Sequence, residues 1–335
     1  RQMYIPPFTI SVNAINLIAE ISAQIERYAI RLEQSDGLKL RKANRIKTIH
    51  SSLAIEGNTL SEDEVKEIIE GKTIVAPLRQ IQEVKNAIRT YELYPSLHPF
   101  EVKDLLRAHE TMMMALIDDA GKFRRGDVGV YSERGLIHMA PPAERVPELI
   151  DSLFEWIKTA KDHLLIRSCV FHYEFEFIHP FSDGNGRTGR LWQSLILGQL
   201  HPLFEHLPVE NMVYANQEAY YNAIQTSTKA ADSGPFIDFM LQEILNTLKE
   251  HQGKPITNIE TESSSVRDKV RDKFGISSGQ IIDLIYQNPS ITLDEIAAHL
   301  SVTRRSIEKK IKELRDAGII KRVGSNKSGL WSIIE

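Results

Sequence analysis

Apolar residues recur at helical spacing through most of the first 250 positions. Ile15, Ile18, Ile21, Ile25, Tyr28 and Leu32 fall three and four apart, a single stripe that predicts a first helix, broken at Asp36-Gly37. A second helix is expected from about Leu38 to Ile55, with Gly57-Asn58 as its stop. Ser61-Glu62-Asp63-Glu64 reads as a capping box that starts a third, ending near Gly71. Further helices are predicted at about 79–94 and 99–117, from about Val146, and at about 162–177, 185–199, 216–231 and 235–250. Around 122–140 the pattern alternates instead. Val128, Val130, Ile137 and Met139 flank the turn-like Ser132-Glu133-Arg134-Gly135, which predicts a β-hairpin ended by Pro141-Pro142.

Periodicity is lost between His251 and Ser265, where Gly253, Pro255 and three consecutive serines mark a linker. Beyond it, helices are expected at about 278–287, 292–299 and 303–317, then strands Ile319–Val323 and Leu330–Ile334 around a glycine-tipped turn. Helix-turn-helix followed by a hairpin resembles a winged helix, with Thr303 capping the third helix and Ile307, Ile311 and Leu314 facing its core. The fold expected is mainly α. Its divisions are an N-terminal helical region at 1–95, a core at 96–250, a linker at 251–275 and the winged helix at 276–335.

Composition adds three points. A chain of 335 residues with 42% hydrophobic and 26% charged positions is globular over most of its length. The single cysteine, Cys169, excludes a disulfide framework and a cysteine zinc site and fits a reducing compartment. No apolar run suits a membrane span and no signal-peptide pattern opens the chain, so a cytoplasmic protein is expected, its start trimmed because residue 1 is Arg. The net charge of −4 hides an asymmetry: nine basic and three acidic residues between Thr303 and Leu330 give that segment +6, leaving −10 elsewhere.

The chemistry concentrates in His179-Pro-Phe-Ser-Asp-Gly-Asn-Gly-Arg-Thr-Gly-Arg190. Pro180 and the glycines delay helix until about Asn185, after which Leu191, Leu195 and Ile196 continue it. Gly184-Asn185-Gly186 therefore sits at a helix N-terminus, where free N–H groups and the positive dipole end bind phosphate. Arg187 and Arg190, three apart, add two permanent cations suited to a polyphosphate. Asp183 offers a hard oxygen ligand for Mg²⁺, and His179 a proton acceptor near neutral pH.

This run resembles the signature of the Fic family at every defining position. The likeness extends over most of residues 1–250, including the helix from Ser168, Gly121-Lys-Phe-Arg124 before the hairpin, Pro141-Pro142 after it, and Tyr220-Tyr221. It implies a Fic helical fold with a β-hairpin flap that holds a target segment by strand addition. The implied activity is AMP transfer from ATP to a Ser, Thr or Tyr hydroxyl of a protein, the chain itself included. His179 is then the base and Asp183 the Mg²⁺ ligand. Gly184, Asn185 (with its side chain), Gly186, Arg187, Thr188, Gly189 and Arg190 contact ATP, Tyr221 flanks the adenine, and Phe181 anchors the loop.

Glu56 is odd on helix physics alone, because a carboxylate in the last turn opposes the macrodipole and calls for a cation. Ser52-Leu-Ala-Ile-Glu56-Gly57 is similar to the family's inhibitory motif, which implies that Glu56 pairs with Arg190 and blocks the γ-phosphate. The likeness leaves open removal of AMP, transfer of another nucleotide-derived group, and a homodimer. In the winged helix, Arg304, Arg305, Lys309, Lys312 and Lys327 are candidate contacts for a DNA backbone. The rival from another class is a DNA-binding regulator whose Fic fold senses nucleotide.

Overall fold

A computed structural model describes residues 4–32, 37–132, 135–205, 207, 209–252, 270, 274–323 and 330–334; at 28–32, 37–44, 132, 251–252, 276 and 286 it describes the backbone alone. Two compact units divide the chain, Arg1–Gly253 and Lys254–Glu335.

The first unit is built around two helices, α7 (Leu164–Ile178) and α8 (Asn185–Leu200), which pack along their length. Residue after residue of α7 is buried, from Leu165 through Phe171 and Phe175 to Ile178, so it has no solvent stripe and must lie in the centre of the unit. Before the pair in sequence come α1 (Val12–Leu32), α2 (Gly37–Ile55), α3 (Glu62–Ile69), α4 (Leu78–Leu93), α5 (Val102–Met113) and α6 (Val146–Thr159), of which α5 packs on α8 and α6 on α7. On the other side of α8 in sequence are α9 (Val209–Ala215), α10 (Gln217–Ala230) and α11 (Gly234–Gln252). α1 packs on α11, α2 on α3, α4 and α9, and α5 on α4 and α8. The capping box at Ser61 forms as read: the Glu64 N–H donates to the Ser61 side chain and the Ser61 N–H to Glu64.

Three details depart from the sequence pattern. The buried face of α1 is Ala14, Leu17, Ile21 and Ile25, while Ile15 is 58% exposed; packing on α11 selects a face rotated from the isoleucine stripe. α5 stops at Met113, not near 117, because the Asn86 side chain on α4 donates to the Met112 and Met114 carbonyls and Ala115 turns left-handed at φ 59°. α9 lies in a stretch where no helix was expected, although Val209, Met212 and Val213 are buried at helical spacing.

Strands β1 (Gly129–Ser132) and β2 (Gly135–Met139) form the expected antiparallel hairpin, with Gly129 opposite Met139 and a register shift between Val130 and Tyr131; turn residues 133–134 lie outside the described residues.

The second unit has α12 (Ile276–Gln287), α13 (Leu293–His299), α14 (Arg304–Asp316) and the antiparallel strands β3 (Ile320–Val323) and β4 (Leu330–Ile333). Ile307, Ile311 and Leu314 of α14 enter a core with Ile281, Ile282, Ile296 and Trp331, and the Thr303 side chain caps α14 by accepting from the Ser306 N–H. The wing tip at 324–329 and most of the linker lie outside the described residues. No helix among those residues is long and apolar enough to cross a membrane.

Candidate active site

α7 ends at His179, whose backbone is left-handed (φ 51°, ψ 62°), a costly conformation for a residue with a Cβ. Pro180 forbids helical continuation, and Arg124 holds the turn in place. The Arg124 guanidinium donates to the carbonyls of His179 (2.7 Å), Ile178 (3.2 Å), Gly126 (2.9 Å) and Pro141 (2.5 Å). One side chain thus ties the end of α7 to both flanks of the hairpin. Burial lowers the His179 imidazole to about 4, so it is neutral at physiological pH and able to accept a proton.

The loop after His179 is held by contacts of two kinds. Phe181 is fully buried, as expected of an anchor, and stacks on His109 at 3.6 Å and 7°. The Asn185 side chain accepts from the Phe181 N–H and donates to the Phe181 carbonyl, both at 2.8 Å. Both of its polar groups are therefore engaged within the loop.

His109 on α5 completes the hold. Its Nδ1 accepts the Gly121 N–H at 2.9 Å, so the neutral ring carries its proton on Nε2, which donates to the Asp183 carbonyl at 2.9 Å. Burial lowers this imidazole to about 4 and keeps that tautomer neutral. Asp183 Oδ1 accepts the Gly184 N–H at 2.6 Å and lies 3.5 Å from Arg187, while Oδ2 lies 3.4 Å from Arg79 on α4. The carboxylate is 42% exposed. Among the described residues no group of three or more His, Cys, Asp or Glu could hold a metal ion, so Asp183 would hold one only together with oxygens of a bound phosphate.

Helix α8 opens at Gly184, leaving the N–H groups of Asn185, Gly186 and Arg187 free of helical bonds at its positive end. The next two positions serve packing instead. The Thr188 N–H and hydroxyl both donate to the Gly184 carbonyl (3.0 and 2.8 Å), and Gly189 faces Phe175 and Glu176 of α7. Thr188 and Gly189, expected at the phosphates, lie one turn inside the helix.

Over this N-terminus sits Glu56. α2 ends in a Schellman motif, with the Asn58 N–H donating to the Leu53 carbonyl and the Gly57 N–H to that of Ala54, both at 3.1 Å. That turn aims the Glu56 carboxylate at Arg190: Oε1 accepts from Arg190 Nη2 at 2.7 Å, and the same nitrogen donates to the Ser52 carbonyl at 3.2 Å. Ser52 takes part through its main chain. Arg190 is 1% exposed, and burial, which opposes its charge, is outweighed by Glu56, Tyr220 and Glu176 together. A Cβ on Gly186 would lie 2.5 Å from Glu56 Oε1 and 2.8 Å from Arg190 Nη1, so only glycine admits the carboxylate this close to the helix end. The cation that Glu56 called for is present.

Tyr221, half-buried on α10, meets Tyr220 edge-on at 5.2 Å, and the Tyr220 hydroxyl bonds His172 at 2.8 Å. His109, Arg79 and the several contacts of Arg124 were not assigned from the sequence; His109 lies 70 positions before the loop it holds, and no local pattern marks it.

In the second unit, exposed Arg304 forms ion pairs with Asp294 at 2.7 Å and Glu308 at 3.0 Å. Arg305, Lys309 and Lys312 are exposed with no ion-pair partner among the described residues, and Lys327 lies outside them.

Residues 99–197 match the family model of the Fic/DOC family, and residues 279–329 that of an HTH domain. The chain is similar to the crystal structure of a Fic family protein from Desulfovibrio desulfuricans G20, at 35% identity over 99% of this chain and 98% of that one, with a TM-score of 0.72. It is 28% identical to protein adenylyltransferase fic-1 of Caenorhabditis briggsae over 68% of this chain and 46% of that protein. It is also 28% identical to a probable protein adenylyltransferase of Aquifex aeolicus (strain VF5), over 54% of each. The chain spans about half the length of these curated relatives.

Proposed function

The chain belongs to the Fic family, and on that premise we propose that it transfers AMP from ATP to a Ser, Thr or Tyr hydroxyl of a protein, restrained by its own Glu56. The observation that carries this reading is the Glu56 carboxylate seated on Arg190 at the N-terminus of α8: the protein's own anion holds an anion site.

Neutral His179 takes the proton of the target hydroxyl, whose oxygen forms a bond to the α-phosphorus as the bond to pyrophosphate breaks. The free N–H groups of Asn185, Gly186 and Arg187 meet the charge that develops on the phosphate oxygens. Arg187 and Arg190 steady the β- and γ-phosphates, Arg190 only after Glu56 has left it. Asp183 suits Mg²⁺ as a half-exposed carboxylate beside that site, and the ion when bound neutralises phosphate charge. Tyr221 flanks the adenine. The named adenylyltransferases among the relatives support AMP as the group moved.

Incubating the Glu56→Gly protein with α- and γ-labelled ATP tests the assignment, with Glu56→Gly/His179→Ala as control. Label retained only from the α position, and lost in the control, is the expected result. Retention from γ means phosphorylation; retention from neither means a nucleotide sensor.

The second unit is read as a DNA-contacting module, on the strength of the exposed Arg305, Lys309 and Lys312 along α14 and the HTH match.

A further inference from the structure

Glu176 stands three residues before His179 on α7, and its side chain is 7% exposed. Oε1 is buried without a hydrogen-bond partner among the described residues. An ionisable group so placed is costly to the fold unless it has a task. Oε2 lies 3.8 Å from His179 Nδ1, a buried nitrogen that makes no short hydrogen bond of its own. The left-handed turn at His179 brings the imidazole back against the last turn of α7, where the Glu176 main-chain carbonyl also draws on the ring. The fold leaves space for this carboxyl: a Cβ on Gly189 would lie 3.0 Å from Oε1 and 3.1 Å from the Phe175 ring.

We propose that Glu176 is the positioning residue of His179. Its carboxylate faces Nδ1, holds the imidazole proton on that nitrogen, and leaves Nε2 to accept the proton of the target hydroxyl. The inference rests on His179 as the base. In the complex with substrate this 3.8 Å contact tightens to a hydrogen bond. The neutral ring has one proton to place, and a carboxylate at one nitrogen decides where.

Other charged groups face this pair from several elements. Arg190 of α8, Glu56 at the end of α2 and Tyr220 of α10 face Glu176; Arg124 before β1, His138 of β2 and Glu56 face His179. Burial raises the Glu176 carboxyl to about 7, with Arg190 opposing and Glu56 adding, while burial lowers His179 to about 4. The pair therefore loses its last proton near neutrality, and below that point Glu176 is neutral and its hold on Nδ1–H weakens.

Two measurements test this. In wild-type protein at pH 8, ¹⁵N imidazole spectra should show His179 protonated at Nδ1 and bare at Nε2; the opposite tautomer overturns the proposal, whether or not any variant folds. In the Glu56→Gly background, Glu176→Gln should lower kcat about tenfold or more, with KM for ATP within about twofold. The acid limb of kcat should move from near 7 toward the lower value of His179. An unchanged kcat and limb overturn the proposal. If instead Glu56→Gly/His179→Ala still transfers AMP, the assignment of the base fails, an outcome separate from the tautomer result.

Discussion

Replacing Glu56 by Gly removes one arm of a contact whose worth follows from its geometry. The Arg190 Nη2 to Glu56 Oε1 distance is 2.7 Å, Arg190 is 1% exposed, and the Glu56 side chain is 34% exposed. A hydrogen bond between charged groups contributes about 1.5–3 kcal/mol net, and partial exposure of the carboxylate places this one toward the lower end. If Arg190 must be free before ATP binds productively, the competent fraction is a few per cent, and removing Glu56 raises AMP transfer roughly 10–50-fold at subsaturating ATP. The Schellman turn at Gly57 uses only main-chain groups, so glycine at 56 leaves the end of α2 intact. Glu56→Gln, which keeps the shape and removes the charge, should gain less than Glu56→Gly. The assay is the initial rate of α-label incorporation from ATP, paired with calorimetric ATP affinity. A rate within twofold of wild type, or an unchanged ATP affinity, refutes the coupling between Glu56 and the γ-phosphate site.

Two further outcomes follow from the geometry. His109 is neutral in the fold at about 4 and titrates near 6.5 when unfolded, so the unfolded chain binds more protons between those values and stability falls as pH falls through them. The loss is on the order of 3 kcal/mol for this group, and His109→Phe, which keeps the stacking on Phe181, should flatten denaturation midpoints measured from pH 6.5 to 4; an unchanged slope refutes it. In the second unit, Arg305→Ala/Lys309→Ala should reduce the slope of log affinity for duplex DNA against log salt by about 2, since each phosphate contact contributes roughly 0.9. Arg304→Ala should change that slope little, because Asp294 and Glu308 already neutralise it; equal effects, or no binding at low salt, refute the assignment.

Much of the loop's character was legible because its chemistry is local. Pro180 and Gly184 mark where helix is interrupted and resumed, and any helix that starts there leaves its first N–H groups free. The capping box at Ser61 and the cap at Thr303 were legible for the same reason, as each acts within one turn. Asn185, Thr188 and Gly189 show what a local reading leaves undecided. All three lie in the motif, yet Asn185 turns back on Phe181, Thr188 on Gly184, and Gly189 on α7. Which side of a helix start faces ligand depends on what packs against the other side.

The sequence by itself determined a helical protein with a hairpin, a helix that starts at a glycine beside a histidine, a basic C-terminal unit, and a glutamate in need of a cation. Tertiary structure decided which cation meets that glutamate, 134 positions away in the chain. It also decided that Arg124 and His109 hold the loop, that Arg304 pairs with Asp294, and that Glu176 lies against His179. Helix periods and caps act over three or four residues and can be read in one dimension. Charge pairing and burial depend on distances across the core, and those exist only after α2, α5, α7 and α8 have packed together.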